Sequence, residues 1–143
     1  MLDQLCHSDR SKYLHSEITE QIIGGFYETY NELGHGFLES VYEEALFRVL
    51  REKGLRVGRQ VPVAVWFRGE QIGQFFADMV VNGSVIIELK AVRVLEPAHE
   101  AQLLNYLRAT SLEIGLLLNF GPRATVRRMA FSNDRKQICG DQR

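Results

Sequence analysis

The chain has 143 residues, 45% of them hydrophobic, and a formal net charge of −1. That length suits one domain with a single core and excludes a separate second one, and the apolar content excludes wholesale disorder. Near-neutral charge excludes a protein that coats nucleic acid through its net field, so any such binding has to be local.

Residues 1–16, with Cys6, His7, Asp9, Arg10 and Lys12, show no period and read as a flexible N-terminal arm. The arm lacks the apolar core of a signal peptide, and no later run approaches the roughly 20 apolar residues of a membrane span. Cys6 and Cys139 form neither a CxxC pair nor a disulfide framework, which fits a reducing compartment. These features together read as a soluble cytoplasmic protein. From Ile18, the residues Ile22, Ile23, Phe26, Tyr30 and Leu33 recur at helical spacing up to Gly34-His35-Gly36. A second helix follows, with Leu38, Val41, Tyr42, Ala45, Leu46, Val49 and Leu50 on its apolar side and Gly54 as its stop.

Strands are then predicted at Val57 to Phe67, at Gln71 to Val81 after a turn at Arg68-Gly69-Glu70, and at Val85 to Ala91 after Asn82-Gly83, giving an antiparallel meander. Pro97 suits the first turn of a helix running to about Thr110, with Leu103, Leu104 and Leu107 on its buried side. The uniformly apolar run Ile114 to Phe120 reads as a central strand covered on both faces, and Thr125 to Phe131 as the last strand. The expected fold is α/β: a central mixed sheet, antiparallel meander plus crossover strand, flanked by helices. One domain over residues 17–132 is expected, followed by a polar tail over 133–143.

The most informative residues are Asp78 and, ten positions on, Glu88-Leu89-Lys90. Glu88 and Lys90 share one face of a strand, opposite Ile87 and Leu89. A two-residue turn at Asn82-Gly83 would pair Asp78 with Ile87 and put the two acids on opposite faces. An odd loop, such as three residues with Gly83 in a left-handed bulge, brings them together, and that is the register expected here. Two carboxylates beside a lysine can hold a hard divalent cation and orient a water, the chemistry of phosphodiester hydrolysis. The alternative is that all three decorate the solvated face of an antiparallel sheet.

The helices supply further candidates. Glu39 and Tyr42 are neighbours on one face of the second helix; Glu39 is either a third acidic ligand or a first-turn acid placed against the helix dipole. Glu43 and Glu44 read as surface charges and His35 as a loop residue. His99, Gln102 and Tyr106 form one polar stripe on the Pro97 helix. Arg48, Arg51, Lys53, Arg56 and Arg59, and then Arg123, Arg127 and Arg128, are basic clusters that read as solvated surface or as local phosphate contacts.

Between Ile18 and Phe131 the chain resembles the GxxExxY proteins, small prokaryotic members of the PD-(D/E)XK nuclease superfamily. The resemblance is carried by the stretch Leu33 to Tyr42 with Gly36, Glu39 and Tyr42, by Asp78, by Glu88-Leu89-Lys90, by His99 to Leu107, and by Gly115 to Phe120. It implies a restriction-endonuclease-like core with Asp78 and Glu88 as metal ligands, Lys90 beside the attacking water, and Glu39 supporting the metal directly or through water. Gln102 and Tyr106 resemble the QxxxY motif of RecB-type nucleases, which helps organise the site and the nucleic acid; His99 lies on the same stripe as a substrate-binding candidate. The expected reaction is Mg²⁺- or Mn²⁺-dependent hydrolysis of nucleic acid, with DNA favoured, the cation held by Asp78, Glu88 and the Leu89 carbonyl. No Cys/His set with zinc spacing competes with that choice. The rival expectation is an inactive nuclease-fold module that binds nucleic acid or a protein partner. A small-molecule phosphohydrolase has no phosphate-loop motif behind it, and a homodimer or larger assembly is compatible with the resemblance.

Overall fold

The computed structural model describes residues 15–136; the arm as far as residue 14 and the tail from residue 137 lie outside the described residues. Three helices, α1 (Ser16–Leu33), α2 (Glu39–Glu52) and α3 (Pro97–Ala109), surround five strands, β1 (Val57–Phe67), β2 (Glu70–Val81), β3 (Val85–Lys90), β4 (Ile114–Phe120) and β5 (Ala124–Ala130). The strands lie side by side in chain order. Neighbours are antiparallel except β3 and β4, which run parallel because α3 carries the chain back across the sheet. This is the α/β mixed sheet that the pattern of elements predicts. No helix among the described residues is long and apolar enough to cross a membrane.

Each face of the sheet buries its own apolar layer. On one side Ile22 and Phe26 of α1 and Tyr42, Leu46 and Leu50 of α2 pack on Met79, Ile87, Leu116 and Phe120. On the other, Leu103 and Leu107 of α3 cover Ala77, Ile86 and Leu117. The strand between both layers, β4, is buried at all seven positions, as its uninterrupted apolar run requires. Leu38 and Val41, expected on the buried side of α2, are exposed: Leu38 is the capping residue before the helix, and in the first turn Tyr42 rather than Val41 faces the core. Asn133 and Lys136, at the start of the polar tail, are tied to the domain. The Asn133 N–H donates to Glu113 Oε2 at 2.9 Å, and Lys136 Nζ donates to the Thr110 and Leu112 carbonyls at 2.8 and 2.6 Å.

The β2–β3 turn has three residues, with Val81 opposite Val85, and Asn82 and Gly83 adopt φ of 51° and 61°. Extending the pairing of Met79 with Ile87 by one step sets Asp78 opposite Glu88, the register expected from an odd loop. A second irregularity lies across the next ladder. Gln60, opposite Asp78, has φ of 47°, and neither residue enters the regular pairing, which resumes at Val61 and Ala77. Beyond it the faces exchange: Met79 packs with α1 and α2, whereas Ala77, two residues earlier, packs with α3. The far half of the β1–β2 hairpin thereby folds over α3 and stacks Phe75 on Tyr106, with ring centroids 3.6 Å apart.

Two adjacent glycines in α1 give a test of this packing. A Cβ on Gly25 would lie 2.8 Å from Leu50 Cδ2, while one on Gly24 meets nothing within 4 Å. In urea unfolding, Gly24→Ala is expected to stabilise by about 0.5–1 kcal/mol through helix propensity. Gly25→Ala is expected to destabilise by about 1–3 kcal/mol as α1 is forced off α2.

Candidate active site at the strand fork

At the level of Asp78 the strands β2 and β3 part, and side chains replace the missing ladder. The Leu89 N–H donates to Asp78 Oδ2 at 2.8 Å, and the Asp78 N–H donates to Glu88 Oε1 at 3.3 Å. Each carboxylate is held by a backbone group of the other strand, or beside it, so the two are fixed against one another. Glu88 is 6% exposed. Burial, and then the charge of Asp78, push its pKa up to about 8, while Lys90 pulls in the opposite direction. Glu88 therefore keeps its proton at neutral pH and hydrogen-bonds the Asp78 carboxylate.

Tyr106 of α3 reaches the same place. Its pKa is raised, first by burial and then by the charges of Glu88 and Asp78, and a hydrogen bond from Gln102 acts against the shift. Gln102 and Tyr106 thus stand together beside the acid pair. His99 is engaged elsewhere: its Nδ1 accepts the Glu96 N–H at 3.0 Å and closes the N-terminus of α3. Glu39 is exposed on the first turn of α2 and has no hydrogen bond or ion pair among the described residues. Among those residues no group of three or more His, Cys, Asp or Glu is placed to hold a metal ion.

The residue of α2 that does connect to the pair is Glu43. Gln60 Nε2 donates to Glu43 Oε1 at 3.1 Å and, in a longer contact, to Asp78 Oδ1 at 3.4 Å. With its side chain 15% exposed and Arg59 at 3.7 Å, Glu43 is no surface charge. Helical spacing puts Glu43 one turn below Glu39 on the same flank, which was the available signal. Nothing in the sequence marks Gln60, since glutamine rarely adopts positive φ.

Much of the first basic cluster is neutralised. Arg48 and Arg59 bind Glu44 at 2.9 and 2.5 Å, Lys53 binds Glu28 at 2.9 Å, and Arg51 lies over the Phe47 ring. In the second cluster, Arg127 binds Glu100 at 3.2 Å. These pairs oppose the reading of either cluster as a free phosphate-binding patch.

A mixed sheet between helices, forked at a carboxylate pair with a lysine two residues on, defines a restriction-endonuclease-like core. The family model of the PD-(D/E)XK nuclease superfamily matches residues 16–129, and the chain belongs to that superfamily. It is also similar to a solved structure described as "Crystal structure of SSO0001", with a TM-score of 0.52 and 24% identity over 94% of this chain and 67% of that one. That likeness bears on the fold alone. No curated protein matches the chain.

The Glu88 shift makes stability depend on pH. Between its ordinary value of 4.5 and the folded value of about 8 the unfolded chain has lost a proton that the folded chain retains. Stability therefore falls as pH rises through this window, by up to about 1.4 kcal/mol per pH unit. In metal-free buffer, Glu88→Gln is expected to raise Tm more at pH 8 than at pH 5. An equal change at both values would contradict the assignment.

Proposed function

We propose that the fork is the active site of a Mg²⁺- or Mn²⁺-dependent nuclease that hydrolyses phosphodiester bonds in nucleic acid, DNA being favoured, and that the chain is of the GxxExxY type. The observation carrying this reading is the locked pair Asp78 and Glu88, with Lys90 and Tyr106 close enough to shift or feel its charge. Asp78, Glu88 and the Leu89 carbonyl would hold the cation. The donors are all hard oxygens, and a bound cation would offset both causes that keep Glu88 protonated, its burial first and then the charge of Asp78. When bound, the cation supplies Lewis-acid polarisation of the scissile phosphate and acidifies the attacking water.

The remaining work falls to the chain's own residues. The Lys90 ammonium orients the attacking water and offsets charge developing on phosphorus. Gln102 and Tyr106 donate hydrogen bonds to phosphate oxygens without adding a charge that competes for the cation. Glu39 would act on the cation through water, and His99, whose Nδ1 closes the start of α3, would be left with Nε2 for the substrate. Gln60 holds Asp78 in place from the Glu43 side. Superfamily members typically use divalent metal ions, which agrees with this reading.

A second reading, a module that binds nucleic acid or a protein partner without cutting, is favoured by the separation of Glu39 from the acid pair. Labelled DNA and RNA incubated with Mn²⁺ separate the two. Cleavage is expected, falling about 100-fold or more in Lys90→Ala; identical products from both proteins would remove the enzyme reading. Calorimetry is expected to show Mn²⁺ binding that is lost in Asp78→Asn.

A further inference from the structure

Immediately past Lys90 the chain borders a cleft of about 350 Å³, formed by residues 35–37 between α1 and α2, residues 91–93 after β3, and residues 120–122 after β4. Its size is that of a small-ligand site. Each of its three walls is pinned by a side chain from the core. Asn119, 1% exposed at the end of β4, accepts the Val92 N–H and donates to the Val92 carbonyl, both at 2.9 Å. The Tyr30 hydroxyl is shared between the Gly121 and Pro122 carbonyls at 2.8 and 2.9 Å. Buried Tyr42 donates to the Gly34 carbonyl at 2.6 Å and accepts the Phe37 N–H at 3.2 Å. A cleft so tied keeps its shape before any ligand arrives, which lowers the entropic cost of binding.

What it offers a ligand is specific. Arg93 is exposed and no described residue forms an ion pair with it, in contrast to Arg48, Arg59 and Arg127. Its guanidinium matches a phosphate, and the His35 imidazole adds a further hydrogen-bonding group. Phe37 lines the cleft, is 48% exposed and has its ring nearly perpendicular to that of Tyr42 at 5.9 Å, so it has aromatic surface left over for a ligand. We propose that this cleft is a nucleotide subsite: Arg93 and His35 hold the phosphate next to the one that is cut, and Phe37 stacks on its base. The assignment rests on the nuclease reading of the fork; Arg93 lies three residues beyond Lys90, at most about 10 Å of extended chain, which is within the reach of neighbouring nucleotides.

The test is binding, measured in chelator on the Lys90→Ala background, so that it is independent of whether the protein cuts. Affinity for a labelled DNA oligonucleotide is expected to fall on the order of tenfold in Arg93→Ala and in Phe37→Ala, less in His35→Ala, and not at all in Arg48→Ala on the far flank of α2. All of these side chains are exposed, so the variants fold. Unchanged affinity in both Arg93→Ala and Phe37→Ala would overturn the proposal. Adenosine 5′-monophosphate is the second probe: binding lost in those variants while DNA affinity is untouched assigns the cleft to a free nucleotide and overturns the strand reading. Absence of Lys90-dependent cleavage in wild type, with the binding losses intact, would refute the reaction and leave the subsite standing.

Discussion

Everything at the fork depends on the exchange of hydrogen bonds between side chain and backbone at Asp78 and Glu88. Where a continuous ladder would use carbonyls, Leu89 and Asp78 give their N–H groups to carboxylate oxygens. The exchange satisfies backbone donors that the parting strands would leave without partners. It also dictates that the two acids stand opposite each other, which only an odd-numbered turn, here of three residues, allows. The strand pair therefore cannot close normally without losing the site, and the site cannot form without opening the pair.

That arrangement works against stability at neutral pH. A buried glutamate whose pKa stands near 8 is a group that the unfolded chain ionises at neutral pH and the folded chain does not. The surrounding structure compensates by being complete elsewhere. β4, beside β3, is covered on both faces, and separate apolar layers grip the sheet from α1 and α2 and from α3. Strain is likewise local: Gln60, at positive φ, is held by Glu43 and Asp78 on either side.

Much of this was legible in the sequence, for identifiable reasons. Strand limits followed turn residues closely, because Arg68-Gly69 and Asn82-Gly83 sit at the positive φ such turns demand. The odd loop followed from requiring Asp78 and Glu88 to share a site. Less legible were features set by distant partners. Asn119 stands out within an apolar strand, yet its partner Val92 is 27 residues away in a loop with no motif. Arg48, Arg59 and Lys53 read as a basic cluster until Glu28, Glu43 and Glu44 are placed beside them. Glu39 and Glu43 have the same helical phase, and only the height of α2 over β1 decides which one reaches Gln60.

The height of α2 is itself fixed by Tyr42. Its ring stacks on Phe120 at 4.2 Å and 14°, and its hydroxyl ties down the loop in which Gly36 turns at φ of 111°. The tyrosine of the Gly36, Glu39, Tyr42 spacing is thus architectural: it seats the first turn of the helix at the end of the sheet where β3 and β4 finish. With Tyr42 buried, Glu39 cannot slide toward Asp78 without dislodging Phe120 and the cleft wall at Phe37 together. Any part Glu39 takes in chemistry must therefore be played across the intervening space, through water or through the substrate itself.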